Sequence, residues 1–315
     1  MLYDSLMEAL RGVAFTTPTP FDADGDSILH DRLREHVTWL AEAGANLFIP
    51  CGNTGEYYSL SNDERIAVLE TVVDAVGDSR AVIGGVGGST KTAIELAGAY
   101  ADVGADGIMI MQPVHTHQHE VGLLHYYQEI VDATDLGVVV YNSDPAVTPS
   151  ILRNLAGYDH VVGVKYAIND VARFARAVDA VDVEVVWSNG IAERFAPAFA
   201  LEGAAGYTTG IGSFLPAETL ALMDALRNED WGRALAIRDL LRPYEDLREE
   251  PGRHNTLRAA NNVPAVKFGM ELAGLYGGPV REPIVDLSAE GRRRARRYYE
   301  TITSSNVVRT ETAAE

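Results

Sequence analysis

Eight short apolar runs, each followed by an amphipathic stretch, set the tightest limit on what this chain can fold into. They begin near Val13, Asn46, Ala81, Gly107, Gly137, Val161, Val183 and Ala205. Short runs rich in Val and Ile are what strands need when helices cover both faces of a parallel sheet. Eight such strand–helix units within ~200 to 250 residues are the layout of a closed barrel, whereas a doubly wound sheet has fewer strands and a different rhythm. The expected fold class is α/β, a (β/α)8 TIM barrel.

The helices carry matching punctuation. Ser61 followed by Glu64 makes a capping box ahead of Ile66, Leu69, Val72 and Val73, and Thr148-Pro149 sets an N-cap before a proline at the first helical position. Leu33, Val37 and Leu40 share one apolar face, and Gly44 closes that helix. Past about residue 215 the strand signal stops. Residues 215–226, 231–241, 263–275 and 289–302 have helical periodicity, interrupted by Pro243 and by the polar stretch 249–262. The chain divides into a barrel over residues 1–225 and a C-terminal helical extension over 226–315, packed on the barrel or on a neighbouring subunit. Its tail, 309–315, is polar and expected to fray.

Charge and cysteine content narrow the function. With 26 basic against 45 acidic residues the formal net charge is −19, which opposes binding to nucleic acid or anionic membranes. The acidic residues are spread along the chain, so they read as a solvated surface of the kind that suits high salt. No apolar run approaches a membrane span, and no leader pattern stands at the amino terminus. The single cysteine, Cys51, cannot form an internal disulfide. These features set the expectation of a cytoplasmic protein. Cys51 has no base beside it in sequence and reads as a small buried hydrophobe.

In a barrel of this kind the chemistry lies at the carboxyl ends of the strands. The run Val161-Val162-Gly163-Val164 ends there in Lys165. Burial lowers a lysine pKa, and a neutral amine condenses with a carbonyl to give a Schiff base; the rival reading is a lysine that snorkels to solvent. The preceding run ends in Tyr141-Asn142, and neighbouring strands ~4.8 Å apart place Tyr141 beside Lys165, where a phenol can shuttle protons. After the second run, Gly52-Asn53-Thr54-Gly55-Glu56 allows successive N–H groups to face one concavity, which suits a carboxylate, although a plain tight turn has the same composition. His115, His117 and His119 alternate on one loop without a second ligand cluster, so one histidine facing substrate is the preferred reading over a metal. The glycine-rich segment 84–91 lacks the phosphate-loop order, and segment 22–26 is followed by Ser27 in place of a calcium loop's sixth-position glycine and lacks its terminal glutamate; both read as turns.

Thr19-Pro20-Phe21, Gly52-Asn53-Thr54-Gly55-Glu56, Tyr141-Asn142 and Gly163-Val164-Lys165, in this order and spacing, resemble the dihydrodipicolinate synthase and N-acetylneuraminate lyase superfamily of class I aldolases, over nearly the whole chain. The resemblance implies a barrel in a homotetramer that binds a 2-keto acid as a Schiff base, with no metal and no organic cofactor. It makes Lys165 the Schiff-base lysine and Tyr141 the proton shuttle, with the Gly52–Gly55 turn and the Thr54 hydroxyl holding the keto acid's carboxylate. Loop candidates for the rest of the substrate are Asn53, His115, Asn142, Ser143, Asn189 and Ser213.

Departures from the synthase pattern shape the expected function. Asn53 stands where that branch has a second threonine, Val114-His115 where it has a tyrosine, and Asn142-Ser143-Asp144-Pro145-Ala146 where it has an arginine shortly after the Tyr-Asn pair. Without that arginine a second carboxylate loses its bidentate partner. The stretches 21–26 and 52–60 look closer to the branch that dehydrates or cleaves 2-keto-3-deoxy sugar acids, such as 5-dehydro-4-deoxyglucarate dehydratase, while Tyr166-Ala167-Ile168-Asn169-Asp170 departs from that branch too. The expected function is a Schiff-base lyase of keto-deoxy sugar acids, with the synthase, and a non-catalytic keto-acid-binding barrel, as alternatives.

Overall fold

The computed structural model describes residues 3–308, so the expected fraying of 309–315 lies outside the described residues. The apolar runs become eight strands: β1 Val13–Phe15, β2 Leu47–Phe48, β3 Ala81–Val86, β4 Gly107–Ile110, β5 Gly137–Asn142, β6 Val161–Tyr166, β7 Val186–Asn189 and β8 Gly206–Thr209. Each pairs in parallel with its neighbours in chain order, and β8 pairs back onto β1, closing the barrel. Five strands begin at the expected residue. β7 begins three residues later than expected, because Val183 is exposed and bonding to the barrel starts only at Val186.

A helix follows each strand: α2 His30–Glu42, α3 Asn62–Val76, α4 Thr90–Asp102, α5 Glu120–Val131, α6 Pro149–Ala156, α7 Val171–Asp179, α8 Ala196–Leu201 and α9 Pro216–Arg227. The Ser61–Glu64 capping box starts α3, and the Thr148 hydroxyl accepts the Ile151 N–H at the start of α6. Ahead of β1, a helix unseen in the sequence pattern, α1 Asp4–Leu10, closes the amino-terminal end of the barrel. Its buried Leu6 approaches so closely that a Cβ on Gly137 would sit 2.4 Å from the leucine methyl, so the strand begins with glycine there.

Three further helices complete the fold: α10 Trp231–Arg248, α11 Asn262–Leu272 and α12 Ala289–Ser304. The expected interruption at Pro243 does not occur; α10 runs through it to Arg248. An interior proline costs ~3 kcal/mol, but α10 buries Ala234, Ile237, Leu241, Tyr244 and Leu247. At ~1.5 to 3 kcal/mol for each large side chain, that packing outweighs the lost bond. α11 ends before the expected Leu275, where Gly274 takes φ 81°. α10 packs on α8 and α9, and α12 lies across α10 and α11, so barrel residues such as Val140 and extension residues such as Tyr244 and Val266 share one continuous core. Among the described residues, no helix is long and apolar enough to cross a membrane.

Candidate active site

Alternation along the strands decides which side chains enter the barrel lumen. Lys165 on β6 is register partner to Tyr141 on β5 and to Ser188 on β7, so all three project from one face at the carboxyl ends of adjacent strands. The Lys165 Nζ lies 4.7 Å from the centroid of the Tyr141 ring. Lys165 is only 6% exposed, and among the described residues no carboxylate pairs with it. Burial first, and the positive charge of Arg248 second, bring its pKa down to about 8. The amine therefore has a reactive neutral fraction near neutral pH.

Tyr141 is shifted the opposite way. Burial, with Tyr58 nearby, pushes its phenol up to about 12, although hydrogen bonds from Ser143 and Asn53 pull against this. The phenol therefore keeps its proton at neutral pH and is available as a donor. Its oxygen accepts from Asn53 Nδ2 at 3.1 Å, which fixes the ring's outer end without consuming that proton.

The turn after β2 is wound tightly. Cys51 and Glu56 both take positive φ, 56° and 57°, and a Cβ on Gly55 would lie 3.0 Å from both Cys51 N and Thr17 O. The backbone N–H groups of Asn53, Thr54 and Gly55 meet no acceptor among the described residues, which suits an anion. The Thr54 hydroxyl shares a 3.0 Å hydrogen bond with that of Thr16, and the Thr19 hydroxyl donates to Gly55 O at 2.8 Å. From the extension, Lys267 on α11 reaches Glu56 Oε1 at 2.5 Å and donates to Pro279 O at 2.6 Å, while the Arg281 N–H donates to Glu56 Oε2 at 2.9 Å.

A buried lysine facing a buried tyrosine beside an anion-receptive turn makes the candidate site; the chain's relatives show which family it belongs to. The sequence profile of the dihydrodipicolinate synthetase family matches residues 9–302. The chain belongs to this family. A probable 5-dehydro-4-deoxyglucarate dehydratase from Ectopseudomonas mendocina is 30% identical over 277 residues, covering 86% of this chain and 89% of that protein. A 4-hydroxy-tetrahydrodipicolinate synthase from Natronomonas pharaonis is also 30% identical, covering 92% of this chain and 96% of that one. The crystal structure of dihydrodipicolinate synthase from Bacillus clausii superposes with a TM-score of 0.89 at 35% identity, covering 95% of this chain and 99% of that one. The family's members with these names include both dehydratases and synthases, so membership makes the chain a lyase-family protein without choosing its substrate.

Within this family frame the remaining sequence candidates fall into two groups. Asn53, Thr54 and the two glycines stand at the site with Lys165 and Tyr141. Asn142 follows Tyr141 on the strand and so faces the other way, its Nδ2 donating to Val147 O at 3.3 Å. Asn189 is likewise spent on its own turn, donating to Ala192 O and accepting the Ile191 N–H. Ser143, which hydrogen-bonds the Tyr141 phenol, and Ala146 are exposed on the loop after β5. Ser213 is fully buried with its hydroxyl unpartnered. His115 is exposed, and its Nδ1 accepts the His117 N–H at 3.1 Å, while His119 caps α5. Cys51 is buried and its thiol is pushed up to about 12, chiefly by desolvation. The close glycine run after it serves packing: a Cβ on Gly85 would fall 2.0 Å from Cys51 O.

Three residues at the site escaped the sequence reading. Ser188 sits beside Lys165 with its hydroxyl buried and unpartnered; the apolar run Val185-Val186-Trp187 before it was the available signal. Thr16 supports Thr54 from β1's end. Arg248 comes from α10, lies against Gly210 and is held by Glu245 at 2.7 Å and Asn262 at 2.9 Å. No local pattern marks an arginine at a helix end as the charge acting on a lysine in a distant strand.

Proposed function

We propose that the chain is a class I lyase that forms a Schiff base between Lys165 and a 2-keto-3-deoxy sugar acid, then removes water or splits the C3–C4 bond to release pyruvate. The observation that carries this reading is the opposed pair: an amine brought down to about 8 against a phenol pushed up to about 12, with 4.7 Å between amine and ring. The neutral amine attacks the C2 carbonyl, and loss of water leaves an iminium. The iminium accepts the electron pair released when a C3 proton leaves, or when the C3–C4 bond breaks. In dehydration the C4 hydroxyl departs with a proton as water, for which the protonated Tyr141 is the donor. In cleavage the C4 hydroxyl gives up its proton as the new carbonyl forms, C3 of the enamine then takes a proton, and water hydrolyses the iminium to release pyruvate and restore the Lys165 amine. The turn's N–H groups and the Thr54 hydroxyl hold the C1 carboxylate.

Specificity is read from what the far end lacks. Ala146 supplies no guanidinium for a second carboxylate, and Asn53 offers an amide where a hydroxyl would relay protons. These favour a hydroxyl-bearing distal end. The second reading, 4-hydroxy-tetrahydrodipicolinate synthase, is favoured by the equal identity to a protein of that name. Product analysis separates them: the lyase reading expects turnover of at least one keto-deoxy sugar acid and no condensation of pyruvate with aspartate semialdehyde. Efficient condensation by the unmodified protein would transfer the proposal to the synthase. We also propose a homotetramer, for which light scattering is expected to give four times the chain mass.

A further inference from the structure

Behind the catalytic pair, on the outer side of the same two strands, lies a crevice between α6 and α7 of about 260 Å³. Asn142 and Tyr166, the residues that follow Tyr141 and Lys165, are register partners and line it together with Thr148, Ile168, Arg173 and Arg176. Its chemistry is unfinished in a specific way. Tyr166 and Asn142 are each 1% exposed, and the Tyr166 hydroxyl and Asn142 Oδ1 have no hydrogen-bond partner. A buried polar atom left bare costs ~1 to 3 kcal/mol, so each calls for a partner. The Asn142 Nδ2 is already committed to Val147 O, which leaves Oδ1 as an acceptor needing a donor.

Two guanidiniums line the same crevice. Among the described residues neither the Arg173 nor the Arg176 side chain joins an ion pair or hydrogen bond, in a chain whose net charge is −19 and whose other carboxylates are plentiful. Both act on the Tyr166 phenol, against the carboxylate of Asp170, which caps α7. Two cationic donors and a hydroxyl donor suit an oxyanion, while the bare Oδ1 repels one and needs an N–H or O–H donor, which a hydroxyl on the same ligand supplies. The volume has room for roughly nine water-sized groups.

We propose that this crevice is a binding site for a small hydroxycarboxylate, its carboxylate held by Arg173, Arg176 and the Tyr166 hydroxyl and its own hydroxyl donating to Asn142 Oδ1. A ligand here braces the ends of β5 and β6 from behind, where the strands present Tyr141 and Lys165. The site stands independently of the lyase reading.

Calorimetric titration of the full chain with D-glycerate, propionate and inorganic phosphate tests it. Glycerate is expected to bind saturably at one site per chain, at least tenfold tighter than propionate, which lacks the hydroxyls. The pair Arg173→Gln and Arg176→Gln is expected to weaken glycerate at least tenfold, and Tyr166→Phe severalfold, while borohydride trapping of pyruvate on Lys165 stays within twofold in all of them. Absence of saturable glycerate binding, binding undiminished by the arginine substitutions, equal affinity for propionate, or binding of phosphate alone would each overturn the proposal.

Discussion

Two lysines are buried in this protein, and they have opposite fates. Lys165 is 6% exposed and Lys267 is 2% exposed; each Nζ lies near an aromatic ring, 4.7 Å from that of Tyr141 and 4.4 Å from that of Phe21. Desolvation lowers the pKa of both. The difference is the partner. Lys267 has Glu56 at 2.5 Å, which pulls its pKa back up and holds the ammonium as an anchor for the turn after β2. Lys165 has a neutral phenol beside it and a cation, Arg248, bearing on it, so its amine comes down to about 8. Burial alone does not free an amine of its proton near neutral pH; burial without a carboxylate partner brings it closer.

The two lysines separate most visibly under one substitution made at each. Lys165→Met is expected to reduce turnover of any keto acid to background, because no other group supplies the amine. It is also expected to stabilise the fold. Between pH 8 and 10.5 the unfolded chain binds a proton at this lysine that the folded chain does not, so stability rises with pH across that window and the cost is fully present below it. That cost is about 3 kcal/mol, and urea denaturation at pH 7 should show a gain of ~1 to 3 kcal/mol on removing it. Lys267→Met is expected to do the reverse, destabilising by ~3 to 5 kcal/mol because Glu56 is left buried without its ammonium. Gains or losses of the same sign at both positions would remove the distinction.

A smaller effect sharpens the role of the phenol. Tyr141→Phe keeps the ring over Lys165 and removes the hydroxyl that Asn53 engages. Substrate binding is expected to survive while turnover falls ~10²- to 10⁴-fold, the range for a lost proton-transfer group. An unchanged turnover number in steady-state kinetics would exclude Tyr141 as the shuttle.

The two lysines also differ in how readily the sequence reveals them. Lys165 was legible because it ends an apolar run at a strand terminus, where barrel chemistry sits, and Tyr141 ends the neighbouring run in the same way. Lys267 lies mid-helix in Val263-Pro264-Ala265-Val266-Lys267, and its partner Glu56 comes from a loop across the chain, so no local spacing joins them. The same limit hid Ser188 and Arg248, which reach the site through strand register and helix packing. The strands themselves were readable because burial on both faces makes continuous apolar runs. α10 was not readable past Pro243, since local propensity argues for a stop and only packing against α8 and α9 carries the helix onward.

Lys165, and not Lys267, is expected to condense with a carbonyl. Incubation with pyruvate or a 2-keto-3-deoxy sugar acid, reduction with borohydride, and peptide mass spectrometry read it directly. A single reduced adduct is expected on Lys165, forming about tenfold more slowly for each pH unit below about 8 as the amine is protonated, and none on Lys267. An adduct on Lys267, or no adduct with any keto acid, would contradict it.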